Sequence, residues 1–396
     1  LQTDAFFLAY SLAIAFTTLF SQMFESAIIP YLAAEQGSKA RCIWFIKSAL
    51  SRSLPVFACS GLILAWALKP LLQISGWSFE GAEMVRQTMF GLQPFLWFGL
   101  GTAAWSALFY NRGLFWFPAV SPLARAVVVM TLIFGAHKLL GIRALTAGLV
   151  LGEALRLAWA FRIGRGLALQ DLRYQADAAD GALLKKFFVD AFWQMAALLA
   201  VHLMVVADQC FAQTAGAGQL TLLSYADRLI QIPYLLFLSG FLNIFHADWS
   251  RASADSSASL YTKLRRDLFW VAVGAAVTAV LLMASAKLSI AVFYGQAPLS
   301  DSDRQVLTGL FTWYALSLAP GVLRLALGRV LIVLRASRFY FFQAWVELAL
   351  NIALNALFMR AFGVVGIAMA TALAYTLSSL WLYGYLWLRE QRGESV

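Results

Sequence analysis

Charge is what this sequence has least of. Asp, Glu, Lys and Arg make up 13% of its 396 residues, against about a quarter in a soluble globular domain. With 61% hydrophobic residues and a mean hydropathy of +0.74, that scarcity excludes a soluble enzyme and a disordered chain. Cysteine is nearly absent. Cys42, Cys59 and Cys210 lie far apart, which excludes a disulfide framework or a thiolate metal site. His202 and His246 have no metal-ligand spacing. There is no P-loop, no dinucleotide fingerprint and no metal cluster, so no nucleotide and no organic cofactor is expected, and the chain does not hydrolyse ATP. Acids are the rarer sign, 20 against 30 Lys and Arg. In a soluble protein the net charge of +10 would point to nucleic acid. Here the basic residues fall mostly between apolar runs, which is how membrane topology is written, so no nucleic-acid partner is expected.

What is present is a succession of apolar runs, each near the 20 residues a membrane helix needs. Eleven are read: 4–33, 42–68, 84–110, 115–136, 142–163, 183–213, 218–246, 264–293, 304–333, 338–361 and 364–388. None alternates with the period of a barrel strand, so the expected architecture is an all-α polytopic bundle. Alternating the connections across the bilayer puts 17 Lys and Arg on one side and six on the other. The basic side is cytoplasmic, and so is the C-terminus. Eleven spans, a start on Leu1 and no signal peptide lead to the expectation of a further helix upstream, giving twelve in all, and of inactivity without it. Trp77, Trp116, Trp249 and Trp387 fall near predicted interfaces and read as anchors. Gly148 and Gly152 form a GxxxG and read as a close helix contact.

The polar stretch 164–186 separates two sets of spans, with lobes expected at 1–168 and 169–396. They show weak internal similarity in one order. Residues 6–33 can be laid on 222–249, YNRGLFWFPA at 110–119 on LRASRFYFFQ at 334–343, and LLGIRALTAG at 139–148 on AFGVVGIAMA at 361–370. Parallel repeats of this kind build transporters of two pseudo-symmetric lobes around a central site.

Two motifs carry a resemblance. TDAFFLAY at 3–10, on a helix ending IIPYLAAE at 28–35, and SYADRLIQIP at 224–233 resemble the second and eighth helices of the MviN/MurJ lipid II flippase family. That family belongs to the multidrug/oligosaccharidyl-lipid/polysaccharide exporter superfamily. The double Arg usual in the family's second helix falls at Thr17 and Thr18. The resemblance implies the exporter fold, residence in the bacterial inner membrane, and a lipid-linked saccharide as substrate. It also places Asp4, in the first motif, among the substrate contacts.

A charge at mid-membrane costs a few kcal/mol or more, so each needs a reason. Arg228 lies about 15 Å along its helix, at 1.5 Å per residue, too deep to snorkel easily. It could face a wet cavity and bind a diphosphate, for which a permanently ionised fork is suited, or it could pair with Asp227. Arg52, Arg125 and Arg324 lie comparably deep and are candidates for the same cavity. Lys287 and Arg329 are near enough to an interface to snorkel. Arg156 follows Glu153 by three residues and reads as a local salt bridge. In the C-terminal half, Asp208, the i, i+4 pair Asn351 and Asn355, and Thr371 offer oxygens for a hard cation, by resemblance Na+, with H+ the other coupling ion considered. Glu347, one turn before Asn351, could add a second charge. Interhelical hydrogen bonding is the other reading of these groups.

The function expected is a monomeric flippase for a polyprenyl-diphosphate-linked envelope precursor, by resemblance lipid II for peptidoglycan synthesis, working by alternating access. Its alternatives are export of another lipid-linked polysaccharide unit, of O-antigen or exopolysaccharide type, and multidrug/ion antiport. A drug antiporter would show central acids where this chain shows Arg228 and Arg324. A membrane glycosyltransferase would need long outer loops with catalytic acids, and the outer loops here are short.

Overall fold

The computed structural model describes residues 2–34, 39–74, 78–168, 177–216, 218–255, 257–297 and 299–392. All regular structure among them is helical. Each apolar run becomes a helix or a broken pair, because a backbone in lipid must satisfy its own N–H and C=O groups. The first half holds α1 (Gln2–Ala34), α2 (Lys39–Ile74), α3 (Phe79–Gly91), α4 (Gln93–Asn111), α5 (Trp116–Leu140) and α6 (Arg143–Ala168). There follow α7 (Ala178–Thr214), α8 (Gln219–Leu235), a π-helical segment (Leu236–Leu242), α9 (Asn243–Asp255), α10 (Ser257–Ala284), α11 (Ala286–Tyr294), α12 (Asp301–Val333), α13 (Ser337–Phe362) and α14 (Val365–Gln391).

Ten described helices are long and apolar enough to cross a membrane, by length and composition. The expected span 84–110 is instead two helices that meet at Leu92. Pro94, at the second position of α4, has no N–H for the carbonyl of Phe90, and its ring clashes there. The run 264–293 is likewise broken, at Ser285 between α10 and α11.

By contact the chain divides into two compact units, Leu1–Ala191 and Phe192–Val396, with the division inside α7. In the first unit α4 is the central helix. It packs on α1, α2 and α6, and 16 of its residues are buried, from Gln93 to Asn111. In the second unit that place falls to α12, which packs on α8, α10 and α14. Its sequence is apolar on every side, as expected of an enclosed helix. The outward faces stay apolar for the lipid: Phe134, Leu139 and Trp66 are all strongly exposed.

The turns bear out the pairing of 139–148 with 361–370 and shift that of 110–119 with 334–343. Gly141 joins α5 to α6 at φ 56°, and Gly363 joins α13 to α14 at φ 59°, a left-handed conformation that glycine adopts at little cost. At the preceding turn, Gly113 has φ 75° and Arg335 has φ 54°. The amide of Leu114 donates to Phe109 O and that of Ala336 to Leu331 O, both at 2.8 Å. Gly113 therefore corresponds to Arg335, two positions away from the sequence pairing. Both turns give one separation, 222 residues, between the copies.

Candidate functional site

Apart from Asp180, paired with Arg41, and Asp267, paired with Arg266, the buried charges among the described residues gather in three groups, one in the first unit and two in the second. In the first, α5 and α6 lie unusually close. A Cβ at Gly148 would meet Val129 Cα at 3.0 Å, and one at Gly152 would meet Arg125 Cα at 3.1 Å, so the GxxxG is the close contact expected of it. That approach lets Arg125 of α5 reach Glu153 of α6 at 3.0 Å. Arg156 grips the same carboxylate from one turn away, at 3.0 and 2.8 Å, as its spacing predicts, and donates to Ser121 Oγ at 3.3 Å. Two guanidiniums share one acid that is only 1% exposed, so the group carries a surplus positive charge. Arg125 also lies over the Phe95 ring, at 5.7 Å. Away from this group, Arg52 is exposed on α2 and forms no ion pair among the described residues. The Asp4 side chain lies outside the described ones.

In the second unit, Arg324 of α12 and Glu347 of α13 form an ion pair at 3.3 Å, 2% and 1% exposed. Gln343 donates to Glu347 at 2.8 Å and to Ser378 at 3.1 Å, and the Tyr375 ring sits 4.7 Å from the guanidinium. Two expectations change here. Arg324 is enclosed and paired within its own unit, because burying a lone guanidinium would cost several kcal/mol. Glu347 faces Arg324 rather than adding its charge to the Asp208 group.

The Asp208 group does assemble. Asn355 Nδ2 donates to Asp208 Oδ1 at 2.6 Å and to Asn351 Oδ1 at 3.1 Å. Thr371 Oγ1 donates to Asp208 Oδ2 at 3.4 Å. All four residues are buried. Asn355 Oδ1 receives no hydrogen bond, so a buried oxygen is left open beside the carboxylate. One carboxylate and three neutral oxygens are the donor set of a hard monovalent cation. The group equally accommodates a proton on Asp208.

Arg228, on α8, is exposed and forms no ion pair among the described residues. Asp227 instead accepts from Gln231, one turn on. Of the four tryptophans read as anchors, Trp116 and Trp387 are about half exposed, whereas Trp249 is fully buried and donates to Asp267 at 3.0 Å; Trp77 lies outside the described residues. At one end of α3, the Arg86 guanidinium and then the Lys69 ammonium hold the Glu83 carboxyl down at about 2.

Sequence reasoning missed that the first unit's group and the Arg324 pair stand at equivalent places. With copies 222 residues apart, Ser121, Arg125, Glu153 and Arg156 correspond to Gln343, Glu347, Tyr375 and Ser378, and Arg324 to Thr102. The Ser121–Arg156 bond recurs as Gln343–Ser378. The signal lay in the register, which the pairing of 139–148 with 361–370 already carried and the pairing of 110–119 with 334–343 missed by two. The Asp208 group has no such counterpart, because Asn351, Asn355 and Thr371 correspond to Val129, Ile133 and Leu149.

Comparison with curated proteins gives no match. Solved structures share the fold. The inward closed conformation of lipid II flippase MurJ matches with a TM-score of 0.64 and 20% identity, covering 97% of this chain and 81% of that one. The bent form of the MATE transporter VcmN from Vibrio cholerae matches at 0.80 and 13%, covering 99% and 88%. A MOP superfamily transporter from Pyrococcus furiosus matches at 0.76 and 13%, covering 98% and 87%. These likenesses establish the exporter-superfamily fold of a multi-pass membrane protein. The model of the lipid II flippase MurJ family matches residues 1–393, almost the whole chain, and the chain belongs to that family.

Proposed function

We propose that this protein translocates lipid II, or a closely similar polyprenyl-diphosphate saccharide, outward across the bacterial inner membrane by alternating access, with its C-terminus in the cytoplasm. Beside the family membership, the observation that carries this reading is the state of Arg52 and Arg228. Both lie in apolar helices, both are exposed, and neither has an ion-pair partner among the described residues. An exposed guanidinium within a hydrophobic helix is expensive unless water or an anion meets it. A diphosphate presents paired oxygens at the spacing of the guanidinium fork. Arg125, 31% exposed and carrying the surplus charge of its group, is a third contact. A negative interior favours outward movement of an anion, by about 2.3 kcal/mol per charge per 100 mV, so these contacts serve to hold the diphosphate within the bilayer and not to offset the potential.

The test is complementation in bacteria depleted of their own lipid II flippase. The parent, expressed as its full-length gene product, is expected to restore growth, and Arg228→Ala in the same background, at matched membrane abundance, to lower survival at least tenfold. Rescue by both would remove Arg228 from the mechanism. Good expression without rescue by the parent would exchange lipid II for another lipid-linked glycan.

The Asp208 group is the second element of the proposal, as the seat of the coupling ion. Asp208, Asn351, Asn355 and Thr371 would hold Na+, which would there balance the buried carboxylate and tie the three helices together. Asp208→Asn is expected to abolish sodium-dependent thermal stabilisation of the purified protein while leaving its melting point in sodium-free buffer within a few degrees. Stabilisation by sodium in both proteins would place the ion elsewhere.

A further inference from the structure

A pocket of about 350 Å³ lies between α11 and the first turns of α12, within the second unit. Lys287, Ile290 and Ala291 line it from α11; Arg304, Gln305 and Thr308 line it from α12. Two cations face it and no carboxylate does. The acids next to Arg304 in sequence are committed or apart. Asp303 accepts from Ser300 N and Oγ in the capping box of α12, and Asp301 forms no ion pair with Arg304 among the described residues. Arg304 uses one N–H on Gly295 O at 3.2 Å, leaving the rest of its fork available. Lys287 sits seven residues before Tyr294, the end of α11, roughly 10 Å along the helix. It also lies three residues beyond the apolar span Leu260–Ala284, and Arg304 lies in the first turn of the span Asp301–Val333, so both charges stand at head-group level.

Beside the pocket, α11 turns an apolar side outward. Leu288 and Val292, one turn apart on α11, are 66% and 69% exposed. Val277 and Leu281 extend the exposed apolar surface along α10. Cations at the end of a helix pair and aliphatic side chains below them match a molecule that is anionic at one end and hydrocarbon at the other.

We propose that this pocket binds the phosphate diester of an anionic glycerophospholipid, with the acyl chains along Leu288 and Val292. On the orientation set by the Lys and Arg count, the lipid belongs to the outer leaflet. A free phosphate would satisfy the cations and leave the apolar side of α11 unused. A zwitterionic head group would bring its own ammonium against Lys287 and Arg304.

The test is native mass spectrometry of the detergent-solubilised protein with phosphatidylglycerol, phosphatidylcholine or inorganic phosphate. Phosphatidylglycerol is expected to be retained over phosphatidylcholine. Lys287→Gln, which breaks no hydrogen bond present here, should lower that retention about fivefold, the worth of one lysine near an anionic surface. Lys287→Arg should keep it. A photo-crosslinking residue at position 305, with both cations intact, should capture phosphatidylglycerol even if a charge variant proves unstable. Equal retention of the two lipids, unchanged retention in Lys287→Gln, or displacement of the lipid by excess inorganic phosphate would each overturn the proposal.

Discussion

Replacing Glu347 by Ala is expected to destabilise the second unit by about 3–5 kcal/mol, the cost of leaving a buried charge without its partner. The geometry argues for the upper part of that range. Arg324 and Glu347 are 2% and 1% exposed, so the orphaned guanidinium has no route to water. Gln343 would lose its acceptor on Glu347 as well. Thermal unfolding of the purified protein in detergent should show a fall of roughly 10 °C, at 2–4 °C per kcal/mol for a unit of this size. A double variant, Arg324→Met with Glu347→Leu, removes both charges and should recover most of the loss, since well-packed apolar residues replace such pairs at little cost. A single variant that melts with the parent, or a double variant no better than the single, would show that the pair is not what holds α12 to α13.

The second large effect is expected in the first unit and has a different shape. Glu153 is the acid on which Arg125 and Arg156 converge. Glu153→Ala leaves two guanidiniums facing each other in a hydrophobic helix pair, and a cost of about 3 kcal/mol is expected, the price of one uncompensated Arg near mid-membrane. It is smaller than for Glu347 because Arg125 and Arg156 are 31% and 13% exposed and can turn partly outward. Arg125→Ala should cost far less, since it leaves the Glu153–Arg156 pair intact and neutral. Melting points in detergent distinguish the two. If Arg125→Ala proves as damaging as Glu153→Ala, the group is not one acid neutralising a surplus of bases.

Much of this was legible in the sequence, and the parts that were not share a cause. Every apolar run became helix, because length and hydropathy decide that in lipid almost alone. The Glu153–Arg156 pair was legible because spacing on one helix fixes who can meet. Asp208 with Asn351, Asn355 and Thr371 was legible by resemblance. What escaped depends on which helices touch. Arg125 meets Glu153 only because Gly148 and Gly152 let α5 and α6 close up. Glu347 turned to Arg324, not to Asp208, because an enclosed guanidinium is the stronger claimant for a carboxylate. The break at Leu92 had its signal in Pro94, two residues on. No comparable residue announces the break at Ser285. The π-helical segment follows Pro233, which leaves the carbonyl of Leu229 without an amide in α8.

The matched turns at Gly141 and Gly363 bear on how the molecule arose. A left-handed turn repeated at one spacing is the mark of a copied ancestor, and it shows what each copy did with its inheritance. One ancestral patch of polar side chains lay between the last two helices of the original unit. In one descendant it became two bases on an acid, with charge to spare. In the other it became a balanced pair closed off by tyrosine. Beside that, the second copy carries two amides and a hydroxyl where the first has valine, isoleucine and leucine. The backbone stayed near its founding plan while the charges specialised, so the two halves can divide between them tasks that a single ancestral half performed alone or not at all.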